Sequence, residues 1–156
     1  MTILRVSIRP FQIQDLDAIC EIEQKVFTTP WSRQSFLDCA RWSEFWFYVA
    51  VWDEKIVGYF ITQVVGEEAE LYNIAVDPSF HDQGIGKKLM EFFLEKGSEE
   101  NVENIFLMVR PSNVAAIKLY ENFEFSLFDR RKKYYQDNQE DALIFYRRMP
   151  KIIPVC

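Results

Sequence analysis

The chain has little of what many protein classes require. It holds one histidine, five glycines, six prolines and three cysteines in 156 residues. So little glycine and proline excludes a low-complexity or linker-rich chain. Cys20, Cys39 and Cys156 are odd in number and widely spaced. They suit neither a disulfide framework nor a zinc pattern, so reduced thiols in a cytoplasmic protein are expected, and no metal. The longest unbroken apolar run, Phe45 to Trp52, is eight residues, against the roughly 20 that span a bilayer. No membrane partner is expected. A basic start leading into an apolar stretch and a small-residue cleavage site is also missing, so no signal peptide is expected.

Positive charge is scarce as well. Eighteen Lys and Arg against 24 Asp and Glu leave −6, which argues against a nucleic-acid partner bound through a general basic face. The balance is uneven. Seven basic and four acidic residues from Leu127 onward leave +3 there and −9 before it. The Arg130-Arg131-Lys132-Lys133 run reads as a solvated strand end, and the acidic body favours attraction of a basic substrate at low ionic strength.

What is present is enough apolar residue, 49% beside 27% charged, to build one core in water. Val6-Ser7-Ile8-Arg9 alternates as a half-buried strand ended by Pro10. Leu16, Ile19, Cys20, Glu23, Val26 and Phe27 then fall at helical spacing on a mostly apolar face. Thr28-Thr29-Pro30-Trp31-Ser32 breaks that helix, and Ser32 suits the cap of a second one carrying Phe36, Leu37 and Ala40. Phe47 to Trp52 and Ile56 to Val65 read as a hairpin turned at Asp53-Glu54-Lys55, and Glu70 to Val76 as a strand stopped by Asp77-Pro78. A helix follows from Gly84 to about Lys96. The apolar Ile105–Val109 run predicts a strand buried on both faces. Pro111-Ser112-Asn113 opens another helix, and strands near Phe125–Phe128 and Ala142–Arg148 close the chain around a polar loop. The order β-α-α-β-β-β-α-β-α-β-β describes one mixed α/β domain.

Chemistry is most legible from Ala75 to Lys87. A strand runs out, the chain turns, and Gly84 and Gly86 stand at a helix start followed by two lysines. Glycines there let backbone N–H groups converge, and the helix dipole adds positive potential, which together suit a pyrophosphate. A Rossmann fingerprint needs a third glycine at position 89, which is Leu, and a Walker loop is absent. From the glycines alone, a turn with no ligand stays open.

Val76-Asp77-Pro78 followed by Gln83-Gly84-Ile85-Gly86 resembles the acetyl-CoA loop of the GCN5-related N-acetyltransferases, the GNAT family, whose [QR]-x-x-G-x-[GA] pattern is met here except that His81 holds the first basic or amide position. Arg110-x-Ser112-Asn113-x-x-Ala116-Ile117-x-Leu119-Tyr120-Glu121 looks like the second block of the family, in its RimI-type protein N-terminal acetyltransferase form. Phe27-x-x-Pro30-Trp31-Ser32, Arg131-x-x-Tyr134-Tyr135 and Glu140-Asp141-Ala142 are similar to further blocks of that subfamily. The resemblance runs from about Arg9 to Met149. It implies a single GNAT domain over residues 1–149 with a short tail over 150–156. It also implies a mixed central sheet with two splayed parallel strands, Glu70–Val76 and Ile105–Val109, and flanking helices.

The resemblance implies that acetyl-CoA is the co-substrate. Backbone groups of Ile74, Ala75 and Val76 are expected to hold its pantetheine arm, and Asp82, Gln83, Gly84, Ile85, Gly86 and Lys87 its pyrophosphate. Asn113 is expected to bond the cofactor arm, with a simple helix cap as the other reading. Tyr120 stands where the family places its general acid, and a phenol stays protonated at neutral pH; a core aromatic is the bland alternative. The base does not carry over, because the family's Glu is replaced by Met108. Glu70 is the candidate in its place, against continuation of the solvated Glu67-Glu68 run. Trp31, Tyr134 and Tyr135 match positions lining the acceptor entrance, Trp31 alternatively being core. The implied acceptor is a protein N-terminal peptide, such as the N-terminal alanine of a small-subunit ribosomal protein. A small amine or polyamine as acceptor, and a non-catalytic acetyl-CoA-binding module, remain alternatives at this point.

Overall fold

The computed structural model describes residues 5–150, so Cys156 and the expected tail beyond Pro150 lie outside the described residues. Eleven helices and strands follow in the expected order: β1 (Val6–Pro10), α1 (Leu16–Val26), α2 (Arg33–Arg41), β2 (Phe45–Trp52), β3 (Lys55–Val65), β4 (Glu68–Val76), α3 (Ile85–Glu99), β5 (Asn104–Val109), α4 (Val114–Asn122), β6 (Ser126–Arg131) and β7 (Ala142–Arg148). Short 3-10 turns precede α1 and follow β4. The strands lie in the order β1-β2-β3-β4-β5-β7-β6. The β4–β5 pair is parallel, while β1–β2, β2–β3, β5–β7 and β6–β7 are antiparallel.

Two compact units divide the chain, Met1–Gln63 with Asn73–Phe93 and Val64–Tyr72 with Leu94–Cys156. In the first, α1 buries Leu16, Ile19, Cys20, Ile22 and Glu23 on the stripe that its helical spacing defines. That stripe joins Phe36 of α2 and Phe47, Val49, Tyr59 and Ile61 of the hairpin in one apolar cluster. Ser32 caps α2, its hydroxyl accepting from Ser35 N–H at 3.1 Å. The hairpin turns on two residues, Asp53 and Glu54, both with positive φ (51° and 67°), as a tight turn matched to strand twist requires. The 3-10 turn before α1 is pinned by Arg9, which grips the buried Asp15 carboxylate with both terminal nitrogens at 2.8 and 2.9 Å. Both described cysteines, Cys20 and Cys39, are free and buried.

In the second unit the parallel ladder pairs Glu68–Leu71 with Asn104–Leu107 and ends there, while β4 runs on to Val76 and β5 to Val109. The expectation of a β5 buried on both faces is corrected. Ile105, Leu107 and Val109 are buried, whereas Phe106 and Met108 are only half-buried. All five are apolar, so composition hides an alternation that the pleat imposes. Phe106 instead packs its ring 5.0 Å from Tyr146 and 5.7 Å from Phe128. β6 is longer than expected, and every one of its residues is exposed. Its charged end, Arg130 and Arg131, is the solvated strand end expected of the basic run.

Candidate active site

Within the first unit, the turn between β4 and α3 is built to present backbone N–H groups. Asp82 and Gly84 both have positive φ (61° and 76°), a conformation that lets successive N–H groups converge on an anion. His81 to Gly84 are exposed, and Ile85 buries the first turn of α3 beneath them. The approach is braced from behind. The Asp77 carboxylate accepts from Ser79 N–H at 3.0 Å, and Asp77 N–H donates to the Val57 carbonyl at 2.8 Å. His81, the departure from the family pattern, donates from Nε2 to the Val76 carbonyl at 3.2 Å. It therefore holds the turn against the strand end.

Gly58 of β3 sets how closely these parts approach. A Cβ at this position would stand 2.8 Å from the Ala75 carbonyl oxygen and 3.2 Å from Leu89 Cδ1. Only a residue without a side chain lets the β4 backbone and the first turns of α3 close on β3 here. Sequence reasoning missed Gly58, because a lone glycine in a strand carries no sign of what approaches it.

A buried polar cluster joins α1, β3 and β4 in the same unit. Glu23 is 1% exposed, Tyr59 0% and Asn73 8%. Glu23 Oε1 accepts from the Tyr59 hydroxyl and from Asn73 Nδ2, and Oε2 accepts from Trp31 N–H at 2.9 Å. Burial raises the Glu23 carboxyl above its ordinary pKa, and the three donors oppose that shift. Trp31 itself is half-buried, its ring 5.4 Å from Phe36. It packs on the core while keeping part of its surface open.

In the second unit, Asn113 Oδ1 accepts from Ala116 N–H at 3.2 Å and caps α4. Its oxygen is committed to the helix, so any role toward a cofactor falls to Nδ2. Further along α4, Tyr120 is 7% exposed, with its ring 6.0 Å from Phe125. Burial, and secondarily the neighbouring Tyr135 phenol, raise its hydroxyl well above the ordinary tyrosine value.

Tyr135 is fixed by a network joining two separated motifs. Arg110 Nη1 contacts Asp137 Oδ1 at 3.0 Å, Asn138 Oδ1 at 3.1 Å and Glu140 Oε1 at 3.4 Å. Ser112 donates to Glu140 through its hydroxyl at 2.9 Å and its backbone N–H at 3.1 Å. Hydrogen bonds from Asn138 and then Ser112 pull the Glu140 pKa down to about 2. Tyr134 is exposed and stands edge-on to Tyr135, with ring centres 5.2 Å apart.

Glu70 alternates outward from the buried Ala69 and Leu71. Its register partner on β5 is Phe106, and parallel register neighbours share a face. Met108 is two residues beyond Phe106, so it presents to that same face. A carboxylate at Glu70 therefore faces the same way as one at position 108 would. Loss of hydration beside apolar neighbours raises its carboxyl above the ordinary value. Among the described residues, no group of three or more His, Cys, Asp or Glu is placed to hold a metal, and no helix is long and apolar enough to cross a membrane.

A strand leading through a left-handed turn into a helix start, in a mixed sheet with a parallel pair, makes this an α/β protein whose turn suits an anionic cofactor. The acetyltransferase (GNAT) family model matches residues 16–125. The ribosomal protein bS18-alanine N-acetyltransferase of Escherichia coli is 37% identical over 140 residues, 88% of this chain and 94% of that one. A putative enzyme of the same description from Bacillus subtilis is 33% identical over 91% of this chain and 95% of its own. The crystal structure of the ribosomal-protein-S18-alanine N-acetyltransferase from E. coli superposes with a TM-score of 0.87 at 34% identity, covering 96% of each chain. This chain belongs to the acetyltransferase (GNAT) family.

Proposed function

We propose that this protein transfers the acetyl group of acetyl-CoA to the N-terminal α-amine of a protein, with the N-terminal alanine of ribosomal protein bS18 as acceptor. The observation that carries the acceptor is the 37% identity to the E. coli bS18-alanine N-acetyltransferase over nearly the full length of both chains. A small-amine acceptor or a module without chemistry is not favoured by such a relative. The whole activity is assigned to one domain over residues 1–149, in a cytoplasmic protein; the free, buried Cys20 and Cys39 support that compartment.

The residues present fit the co-substrate. The positive-φ turn at Asp82 and Gly84, continued by Ile85, Gly86 and Lys87, suits its pyrophosphate, with Gln83 beside it. Backbone groups of Ile74, Ala75 and Val76 and the Asn113 amide are assigned to the pantetheine arm. Acetyl-CoA supplies an activated acyl group as a thioester. The acceptor amine must lose a proton and the departing thiolate must gain one. Glu70 is assigned the first task, with its pKa displaced upward toward the working range, and Tyr120 the second, its buried phenol retaining the proton it is to donate. Trp31, Tyr134 and Tyr135 are assigned to the acceptor peptide, and the acidic body favours an acceptor of basic character.

Thiol release from acetyl-CoA, measured with a panel of N-terminal peptides and free polyamines, tests the reading. Turnover is expected with an alanine-initiated bS18 peptide and lost when its α-amine is blocked. Turnover only with polyamines, or none with any acceptor, would overturn it.

A further inference from the structure

The most unusual group outside the assigned machinery is the carboxylate of Glu23. A glutamate on the buried stripe of a helix is costly unless every acceptor is engaged. Here both oxygens are engaged, by donors from three separate segments: the Trp31 backbone after α1, Tyr59 of β3 and Asn73 of β4. No lysine or arginine forms a salt bridge with it among the described residues; Lys25, two residues on, lies instead 3.8 Å from Asp77. The titratable groups around it are Tyr59 and the Cys20 thiol.

We propose that Glu23 is a positioning residue for the acceptor, a buried strut that fixes the Trp31 loop to β4 at Asn73. The inference rests on Trp31 serving the acceptor peptide, as proposed above. Pro30 has no N–H, and the Trp31 N–H is spent on Glu23. The carboxylate therefore supplies the acceptor that this N–H needs and ties down the segment on which the indole rides. Asn73 immediately precedes Ile74, so one carboxylate references the acceptor loop to the strand assigned to the co-substrate arm. Hydrogen bonds to a buried acceptor are strengthened by the low local dielectric, and a small displacement of a positioned group costs binding disproportionately.

The experiment uses the full chain with three variants, alanine-initiated bS18 peptide and acetyl-CoA. Glu23→Met keeps the side-chain length and removes both acceptors. It is expected to raise the peptide KM about tenfold, the scale of one buried donor left without its acceptor, with the acetyl-CoA KM changed less than about twofold. Glu23→Gln retains an amide oxygen for Trp31 N–H and is expected to recover most of that loss. Tyr59→Phe leaves the Trp31 bond intact and is expected to keep the peptide KM within about twofold of wild type. An unchanged peptide KM in folded Glu23→Met would overturn the proposal. So would both KM values and kcat moving together with the melting temperature. Should Glu23→Met fail to fold, hydrogen exchange of the Trp31 amide in the native chain decides: slow exchange supports the strut and fast exchange overturns it. Absence of any peptide turnover by the wild-type chain would instead sink the acetyl-transfer reading, leaving the exchange measurement to decide the strut separately.

Discussion

The guanidinium carbon of Arg110 lies 3.9 Å from the centre of the Tyr135 ring. Arg110 follows directly on β5, whereas Tyr135 sits in the loop before β7. The same guanidinium reaches Asp137 and Glu140, so one side chain both covers the ring and holds the loop that carries it. A planar cation can stack and donate in its own plane at once, which a lysine cannot do.

Arg110→Ala is therefore expected to loosen the Tyr134-Tyr135 segment rather than the fold. The cation–π contact alone is worth about 1 kcal/mol. Steady-state kinetics should show a raised peptide KM with acetyl-CoA binding retained, and Arg110→Lys should restore little of the loss. Full recovery by lysine would mean that charge, not stacking, is what the loop needs.

Gly58→Ala brings a methyl group against the Ala75 carbonyl, with 2.8 Å available. Neither strand backbone can move without shifting the segment assigned to the pantetheine arm. Overpacking of this kind costs about 1–3 kcal/mol. Acetyl-CoA affinity, measured by calorimetry, is expected to fall together with the melting temperature. Unchanged affinity would show that the strand end tolerates the displacement.

The order of elements was readable because each local signal agreed with the fold: aromatic and β-branched runs for β2 and β3, the Ser32 cap, the glycines before α3. The relation of Arg110 and Ser112 to Glu140 was not. Their motifs were visible separately, but a hydrogen bond across 28 residues is a tertiary fact with no local signature. Met108 shows the reverse case. Its identity announced a missing base, and strand periodicity with the β4–β5 register then shows Glu70 on the same face. Glu23 was readable in part, since helical spacing put it on the buried stripe of α1. Its partners Tyr59 and Asn73, 36 and 50 residues away, were not.

Glu23 also predicts the shape of stability against pH. Its folded pKa is raised, with burial as the leading cause. The contribution is thus fully present below the unfolded value of about 4.3 and is lost as pH rises through the folded value. Denaturant unfolding of wild type and Glu23→Gln over that window should show the difference between them drifting against wild type as pH rises. A difference independent of pH would mean that the carboxyl titrates alike in both states.

Tyr120 is buried, and its hydroxyl is raised above the ordinary tyrosine value of about 10. The phenol therefore keeps its proton across the working range. Tyr120→Phe should lower kcat about 100-fold, the scale of a lost general acid, while the ring still packs near Phe125. Near pH 10 the wild-type rate should show no loss from phenol ionisation. Wild-type kcat in the variant would return Tyr120 to a purely packing role.

Glu70 carries the opposite demand, a group that must lose its proton to act. Its carboxyl is raised by lost hydration, so the rate should climb with pH through a midpoint above the ordinary glutamate value of about 4.3. Glu70→Gln removes that titration. The variant should show a kcat at neutral pH lower by about 10–100-fold, a flattened acid limb and nearly unchanged acetyl-CoA affinity. A free N-terminal amine ordinarily titrates at about pH 8 and is partly deprotonated without help. If amine ionisation alone governs the reaction, wild type and variant will share one acid limb displaced toward that value. A carboxylate midpoint lies on the acid side of the amine's, so one pH–rate profile for each protein separates a carboxylate base from a self-ionising acceptor.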